Sequence, residues 1–222
     1  MSTDRVTRIS FDLYVITDRH QCRGSLLEVV EAAAEAAGGR AAFQLREKDI
    51  TPENLLSLSR EVLEICRRHD CPLLINHHLE IALDSRADGL HLSRLSVEST
   101  QARGLVPEGF LLGASVHGVE EATEPGNNAA DFLVLGPVFH TPSKEQYGDP
   151  IGLQTVRQVK RQTMKPVIAI GGIKAENVGE VYEAGADGVA VISAVMAAKD
   201  PGAATANLLE AIDVAQLHAA SR

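Results

Sequence analysis

Short apolar runs alternate with amphipathic or alanine-rich segments along the whole chain. The runs have the length and composition of buried strands, and they predict eight strands, at residues 13–17, 42–46, 73–76, 89–92, 111–115, 132–135, 167–170 and 188–192. The segments between them predict helices, for example at 25–37, 52–69, 153–162, 175–184 and 201–218. Thr51 before Pro52 is typical of a helix start, and Gly38 and Gly185 lie where helix-ending glycines are expected.

Eight strands, each followed by a helix or by room for one, predict a parallel sheet with right-handed crossovers. That number of units in 222 residues favours an α/β protein with a closed (β/α)8 barrel, the TIM barrel. We expect a single domain over residues 1–222, with the barrel core at about 11–218. A doubly wound open sheet is the alternative, but no GxGxxG motif follows the first strand.

The composition narrows the possible partners. Hydrophobic residues make up 45% of the chain, enough for a large core, and the 21 basic and 30 acidic residues give a formal net charge of −9. This balance argues against nucleic acid or an anionic membrane as a partner, because both reward clustered Lys and Arg. A small anion in a local basic pocket remains compatible with it.

The same sequence predicts a cytoplasmic protein. The N-terminus carries no apolar stretch of the secretory kind, and no apolar run reaches the roughly 18 residues needed to cross a bilayer. The three cysteines, Cys22, Cys66 and Cys71, include no CxxC pair and are typical of reduced thiols.

Polar residues follow the second strand with a spacing of two, in the segment FQLREKD. Because side chains alternate along a strand, Gln44, Arg46 and Lys48 are predicted to face the barrel axis. Two cations and an amide at the C-terminal mouth suit an anionic ligand. The alternative is a surface salt-bridge cluster with Glu47 and Asp49.

The last two units carry a second anion-binding pattern, IAIGGI at 168–173 and VAVISAV at 189–195. Phosphate sites in such barrels commonly use the loops after strands seven and eight. Gly171 and Gly172 would let the backbone approach a phosphate, and Ser193 would add a hydroxyl at the next helical turn. A Gly-Gly pair alone is also common in plain turns.

Two further strand ends and one loop are candidates. Ser115 and His117 share a parity in GASVHG, and an imidazole at a strand end can move protons, although a lone histidine is as often structural. In INHH, Asn76 is a candidate lining residue, and adjacent histidines on opposite strand faces argue against a metal site. The polar segment 140–150 is a candidate mobile loop over the site.

Seven motifs occur in order along the chain: QLREK, INHH, DGLHL, GASVH, GPVFHTPSK, AIGGI and AGADGVAVIS. Together they resemble the thiamine phosphate synthase/TenI superfamily over nearly the whole chain. The resemblance implies that Gly171, Gly172, Ile192 and Ser193 hold a thiazole phosphate. It implies that the pyrimidine and diphosphate region is lined by Gln44, Arg46, Lys48 and Asn76. Thr141, Ser143 and Lys144 match a TxTK loop in which serine replaces the second threonine.

The departures from the synthase pattern concern the metal. The synthase resemblance implies a Mg²⁺ held by two aspartates, one in a motif like NDD and one after a motif like HIGQE. Here the first motif reads Asn76-His77-His78, and Ser96 stands at the second position. Neither His nor Ser is a good ligand for Mg²⁺, which prefers carboxylates and water. The sequence therefore predicts no metal site.

Three hypotheses follow. The first is a TenI-like thiazole tautomerase without cofactor, with His117 as general acid/base and Arg46 or Lys48 holding the substrate carboxylate. The second is a thiamine phosphate synthase with an atypical Mg²⁺ site. The third is a non-catalytic protein that binds thiazole or thiamine phosphate. In each case the partner is a small phosphorylated thiazole-type molecule, and a homo-oligomer remains possible.

Overall fold

The computed structural model describes residues 9–93, 98–141 and 149–220. Its parallel strands pair in sequence order, and the last pairs with the first to close a barrel. They are β1 Leu13–Ile16, β2 Ala41–Leu45, β3 Leu73–Asn76, β4 Gly89–Leu92, β5 Leu111–Val116, β6 Phe132–Leu135, β7 Val167–Ile170 and β8 Gly188–Val191. The predicted TIM barrel is confirmed, and the open-sheet alternative is wrong.

Helices surround the barrel between successive strands and after the last one. They are α1 Leu26–Ala37, α2 Pro52–Arg68, α3 Leu79–Ser85, α4 Ser99–Arg103, α5 Val119–Thr123, α6 Gly152–Gln162, α7 Val178–Glu183, α8 Ser193–Met196 and α9 Pro201–Ala220. Short 3₁₀ turns lie at Arg19–Gln21, Pro125–Asn127 and Ala175–Asn177. No helix within the described ranges combines the length and the apolar character needed to cross a membrane.

The predicted helix signals act as expected. Thr51 caps α2 by accepting a hydrogen bond from the Asn54 backbone, and Pro52 occupies the first turn. Gly38 ends α1 in the left-handed conformation, with φ 53°. Gly185 follows α7 with φ 96°.

Two apolar layers fill the fold. The barrel interior holds Phe11, which precedes β1, and alternate residues of the strands, namely Tyr14, Ile16, Ala42, Leu74, Phe132, Val134, Ile168 and Ala190. A larger layer lies between the outer face of the strands and the helices, and it includes Phe43 and Leu45 of β2. This separation follows from the two-residue period of a strand, and it leaves the polar residues of the same strands at the mouth.

Three predicted strand ends lie just outside the sheet. β1, β2 and β8 end one residue earlier than predicted, before Thr17, Arg46 and Ile192 respectively. Ile192 is the N-cap of α8, with φ −117° and ψ −80°, so the backbone has already left the extended conformation. These residues belong to the loops that build the mouth.

Candidate active site at the barrel mouth

Two amide side chains form the floor of the mouth at the ends of β2 and β3. Gln44 and Asn76 are buried, with 1% and 8% of their surface exposed. Gln44 Nε2 donates a hydrogen bond to Asn76 Oδ1 at 3.1 Å. The pair lies at the mouth end of the barrel, above the apolar side chains of the interior.

Two cations extend from the same side of the barrel. Arg46 is half-buried and Lys48 is exposed. Both charges contribute, after desolvation and His78, to lowering the pKa of His77. A positive charge disfavours the imidazolium form of a neighbouring histidine.

Glu47 and Asp49, the carboxylates next to these cations, both bind Arg19. The surface-cluster alternative had paired them with Arg46 and Lys48. Glu47 is buried rather than on the surface, and it accepts hydrogen bonds from Thr17 Oγ1 at 2.7 Å and Arg19 Nη1 at 3.0 Å. Asp49 binds the same guanidinium, at 2.6 and 2.8 Å. The sequence gives no sign of this arrangement, because Arg19 is 28 residues away from Glu47.

The prediction that His77 and His78 point to opposite faces of a strand is wrong. β3 ends at Asn76, His77 takes a left-handed φ of 46°, and His78 occupies the N-cap position of α3. The two imidazole rings consequently lie with their centres 4.1 Å apart. The side chains of Asn76 and His77 also interact, with Nδ2 and Nδ1 2.6 Å apart.

This group of residues does not fit Mg²⁺. It offers an amide and two imidazoles, whereas Mg²⁺ prefers carboxylate and water oxygens. Within residues 9–93, 98–141 and 149–220, no group of three or more His, Cys, Asp or Glu side chains could hold a metal. Ser96, at the second metal position of the family pattern, lies outside the described residues.

A buried histidine that the sequence reasoning did not assign connects the barrel interior to the mouth. His91 lies between Tyr14 and Ser115, with Nδ1 3.4 Å from the tyrosine hydroxyl and Nε2 2.8 Å from Ser115 Oγ. Burial, reinforced by the charge of Arg46, lowers the pKa of His91 to about 3, so the ring is neutral. The signal was available, since His91 is a polar residue within the apolar strand DGLHL.

His117, the predicted acid/base residue, lies beyond the end of β5. The strand ends at Val116, so its parity does not determine where His117 points. The imidazole Nδ1 lies 2.8 Å from Glu121 Oε2, and the same oxygen accepts a hydrogen bond from the His117 backbone at 2.9 Å. A carboxylate partner of this kind fixes the orientation of the imidazole ring.

The glycines after β7 form a close backbone approach. Gly171 and Gly172 have φ of 100° and 65°, in the region that favours glycine. A Cβ on Gly172 would lie 2.7 Å from the His140 carbonyl oxygen, and one on Gly171 would lie 2.5 Å from Pro137 Cβ. Neither position tolerates a side chain, because the segment that follows β6 packs directly against both glycines.

The remaining predicted residues lie around these glycines. Ser193 is exposed and begins α8, directly after the half-buried Ile192. Thr141 is half-buried at the edge of the described residues. Ser143 and Lys144, with most of the 140–150 loop, lie outside them.

The closed barrel, the cations after β2 and the glycine backbone after β7 define a (β/α)8-barrel protein with a mouth suited to a phosphorylated ligand. The family profile described as thiamine monophosphate synthase matches residues 13–195. The chain belongs to this family.

Individual relatives agree with the family. The chain is 42% identical over 201 residues to a thiamine-phosphate synthase of Methanocella arvoryzae, covering 90% of this chain and 94% of the relative. It is 39% identical over 208 residues to that of Methanoculleus marisnigri, covering 94% and 98%. A thiamine phosphate pyrophosphorylase structure from Pyrococcus furiosus superimposes with a TM-score of 0.83 at 34% identity, over 93% of this chain and 97% of that one. The predicted superfamily is confirmed, but these relatives do not support the TenI branch.

Proposed function

We propose that this protein is a thiamine-phosphate synthase, which joins a hydroxymethylpyrimidine diphosphate to a thiazole phosphate. The bond between the pyrimidine methylene carbon and the diphosphate oxygen breaks, and the diphosphate leaves with the electron pair. The thiazole nitrogen then forms the new bond to that carbon. The observation that carries the proposal is the 42% identity to a named synthase over 90% of this chain. It places the synthase ahead of the tautomerase, in contrast to the order that the sequence suggested.

In this proposal the two sides of the mouth hold the two substrates. The backbone at Gly171, Gly172 and Ile192, with the Ser193 hydroxyl, binds the thiazole phosphate. The Gln44–Asn76 amide pair supports the pyrimidine ring. The left-handed glycine backbone after β7 and the buried amide hydrogen bond support these assignments.

The leaving diphosphate meets positive charge on the β2 side. Arg46 and Lys48 neutralise the charge that develops on it, and Ser115, Thr141, Ser143 and Lys144 complete the site. Arg suits such an anion because its planar fork donates two parallel hydrogen bonds, and Lys adds a point charge. We assign no step to Mg²⁺, because the donors at Asn76, His77 and His78 do not fit that ion.

One observation favours thiazole tautomerase as a second candidate. Two imidazoles stand where the synthase pattern has carboxylates, and tautomerisation needs no metal. His117, oriented by Glu121, would remove the proton from ring carbon two and deliver a proton to the exocyclic carbon. Lys48 or Arg46 would hold the substrate carboxylate. A third candidate, phosphate binding without conversion, uses the same glycine backbone.

Parallel assays on the purified protein separate the candidates. Incubation with both synthase substrates, with and without added Mg²⁺, should yield thiamine phosphate, measured as the fluorescent thiochrome. We expect Lys48→Gln to lower kcat about 100-fold, because it removes a charge that stabilises the leaving group. His117→Asn should retain most of the synthase activity.

Other outcomes would decide against the synthase. Conversion of thiazole carboxylate phosphate to its aromatic tautomer, followed by NMR and lost in His117→Asn, would establish the tautomerase instead. Micromolar binding of thiazole phosphate without conversion of either substrate set would establish the binding protein.

A further inference from the structure

Glu47 is a buried acidic residue that lies in the sequence between Arg46 and Lys48, the two cations of the mouth. Only 1% of its side chain is exposed. Besides the Thr17 hydroxyl and the Arg19 guanidinium, it accepts the Arg19 backbone N–H, at 3.2 Å to Oε2 and 3.3 Å to Oε1. A carboxylate is costly to bury unless donors of this number and kind surround it. The residues around Glu47 therefore supply the hydrogen-bond donors that a buried carboxylate needs.

The Thr17 hydroxyl extends this contact to the backbone of Arg46, the residue before Glu47. Thr17 is fully buried; its Oγ1 donates to Glu47 Oε1 and accepts the backbone N–H of Arg46 at 2.9 Å. The Thr17 backbone N–H donates to the Gln44 carbonyl at 2.9 Å. Thr17 thus contacts the β2 backbone at Gln44, the backbone just after the strand at Arg46, and the Glu47 side chain.

Arg19 makes a further connection on the same side. Its guanidinium binds Glu47 and, through two nitrogens, both oxygens of Asp49. The residues on either side of Lys48 are therefore both held by the turn that follows β1.

We propose that Glu47 is a positioning residue that, with Thr17 and Arg19, holds Arg46 and Lys48 in the geometry that binds the anionic end of the substrate. Cationic side chains that are already held in place bind an anion more tightly than mobile ones, because the protein need not reorganise when the ligand binds. The identity of that anion as a diphosphate rests on the proposed function.

A double-mutant cycle with inorganic diphosphate tests the proposal without requiring turnover. We expect Glu47→Gln to weaken diphosphate binding about tenfold by calorimetry, since one displaced charged contact is worth a factor of this size. In an Arg46→Gln/Lys48→Gln background the same substitution should change affinity less than about twofold, because Glu47 acts only through these cations.

Matched variants separate positioning from general stability. Glu31→Gln removes a partly exposed carboxylate that pairs with Arg68 and His69, and it should leave diphosphate affinity unchanged. Thr17→Val, which removes the hydroxyl, should weaken diphosphate binding as Glu47→Gln does. Thr17→Ser, which keeps the hydroxyl, should bind diphosphate with wild-type affinity. This pair tests the proposal even if Glu47→Gln fails to fold.

Turnover adds a readout that distinguishes the two substrates. If the synthase assay succeeds, Glu47→Gln should raise KM for the pyrimidine diphosphate and leave KM for thiazole phosphate unchanged. Three results would each overturn the positioning role. The first is wild-type diphosphate affinity in both Glu47→Gln and Thr17→Val, and the second is an equal loss of affinity when Glu47→Gln is made in the Arg46→Gln/Lys48→Gln background. The third is a diphosphate affinity that does not change when Arg46 and Lys48 are replaced. A protein that forms no thiamine phosphate but keeps the non-additive binding would overturn only the proposed function.

Discussion

Among single residues, His91 shows how the barrel interior selects one protonation state. Its ring lies against Tyr14, Phe132 and the Ser115 hydroxyl, and 2% of the residue is exposed. A charge at this position would lose nearly all of its hydration, so folding favours the neutral imidazole. The ring can then share hydrogen bonds with Tyr14 and Ser115 and hold the serine hydroxyl at the mouth.

This burial predicts that acid destabilises the protein through His91. The pKa falls from an ordinary 6.5 to about 3 in the folded state, so the unfolded chain binds more protons between these values. Stability is retained above about pH 6.5 and falls as the pH drops toward 3, by about 2 kcal/mol between pH 7 and pH 5. Urea unfolding at the two pH values measures the change.

Two variants test whether His91 causes this dependence of stability on pH. His91→Gln should make the difference between pH 7 and pH 5 smaller by about 2 kcal/mol, because glutamine does not titrate. Ser115→Ala keeps the buried imidazole and should keep the acid dependence, since desolvation is the main cause of the shift. An unchanged pH dependence in His91→Gln would show that other groups cause the acid sensitivity.

At the scale of elements, α9 completes the outer layer of helices. It packs against α1 and α7 and buries Thr205, Leu208, Leu209, Ile212 and Ala215. Leu208 is 2% exposed, whereas Leu217 on the same helix is 68% exposed. The helix thus carries the same side chain in two contrasting environments.

We expect Leu208→Ala to lower the free energy of unfolding by about 3 kcal/mol, since it removes buried methyl groups and leaves a cavity. Leu217→Ala should change it by less than about 0.5 kcal/mol, because an exposed leucine loses little apolar burial. Denaturant titration of both variants measures the contrast. Equal effects would mean that α9 does not pack as described.

At the scale of the whole molecule, the two ends of the barrel have different tasks. The mouth carries Arg46 and Lys48, which belong to the proposed site. The opposite end carries Arg40, just before β2, which binds Asp12 at 3.0 Å and Asp213 of α9 at 2.7 Å. In barrels of this type, features at the N-terminal end of the strands serve stability.

Substitution at the two ends should therefore have opposite consequences. Arg40→Gln should lower stability by about 1 kcal/mol or less, because its ion pairs are partly exposed to solvent, and should leave KM unchanged. Lys48→Gln should raise KM while changing stability by less than about 0.5 kcal/mol. Thermal unfolding and steady-state kinetics on both proteins provide the comparison. A raised KM in Arg40→Gln would contradict this division.

Much of the fold was predictable because its signals are local. Apolar runs and helix caps lie within a few residues of one another, so the strands were located to within one residue at most of their ends. The buried amides Gln44 and Asn76 and the glycines at 171 and 172 were also found, since each interrupts or follows a strand. Their roles in binding remain predictions.

The arrangement of His77 and His78 was not predictable in the same way. The strand was correctly predicted to end at Asn76, but the expectation for His77 and His78 applied strand alternation beyond that end, whereas the left-handed φ of His77 brings the two rings together. A single backbone angle thus changed which side chains meet. No pattern in INHH indicates that angle, because histidine adopts it only where surrounding structure favours it.

The sequence by itself determined the barrel, since the alternation of apolar strands and amphipathic helices permits few other ways to bury both layers. It also determined that cations and glycines meet at the C-terminal ends of the strands. Only the tertiary structure decided that Glu47 is buried against Thr17 and Arg19, and that His91 lies neutral beside Ser115. These contacts join residues 24 to 30 positions apart, and they form only when parallel pairing of β1 with β2 and of β4 with β5 places neighbouring strand ends side by side.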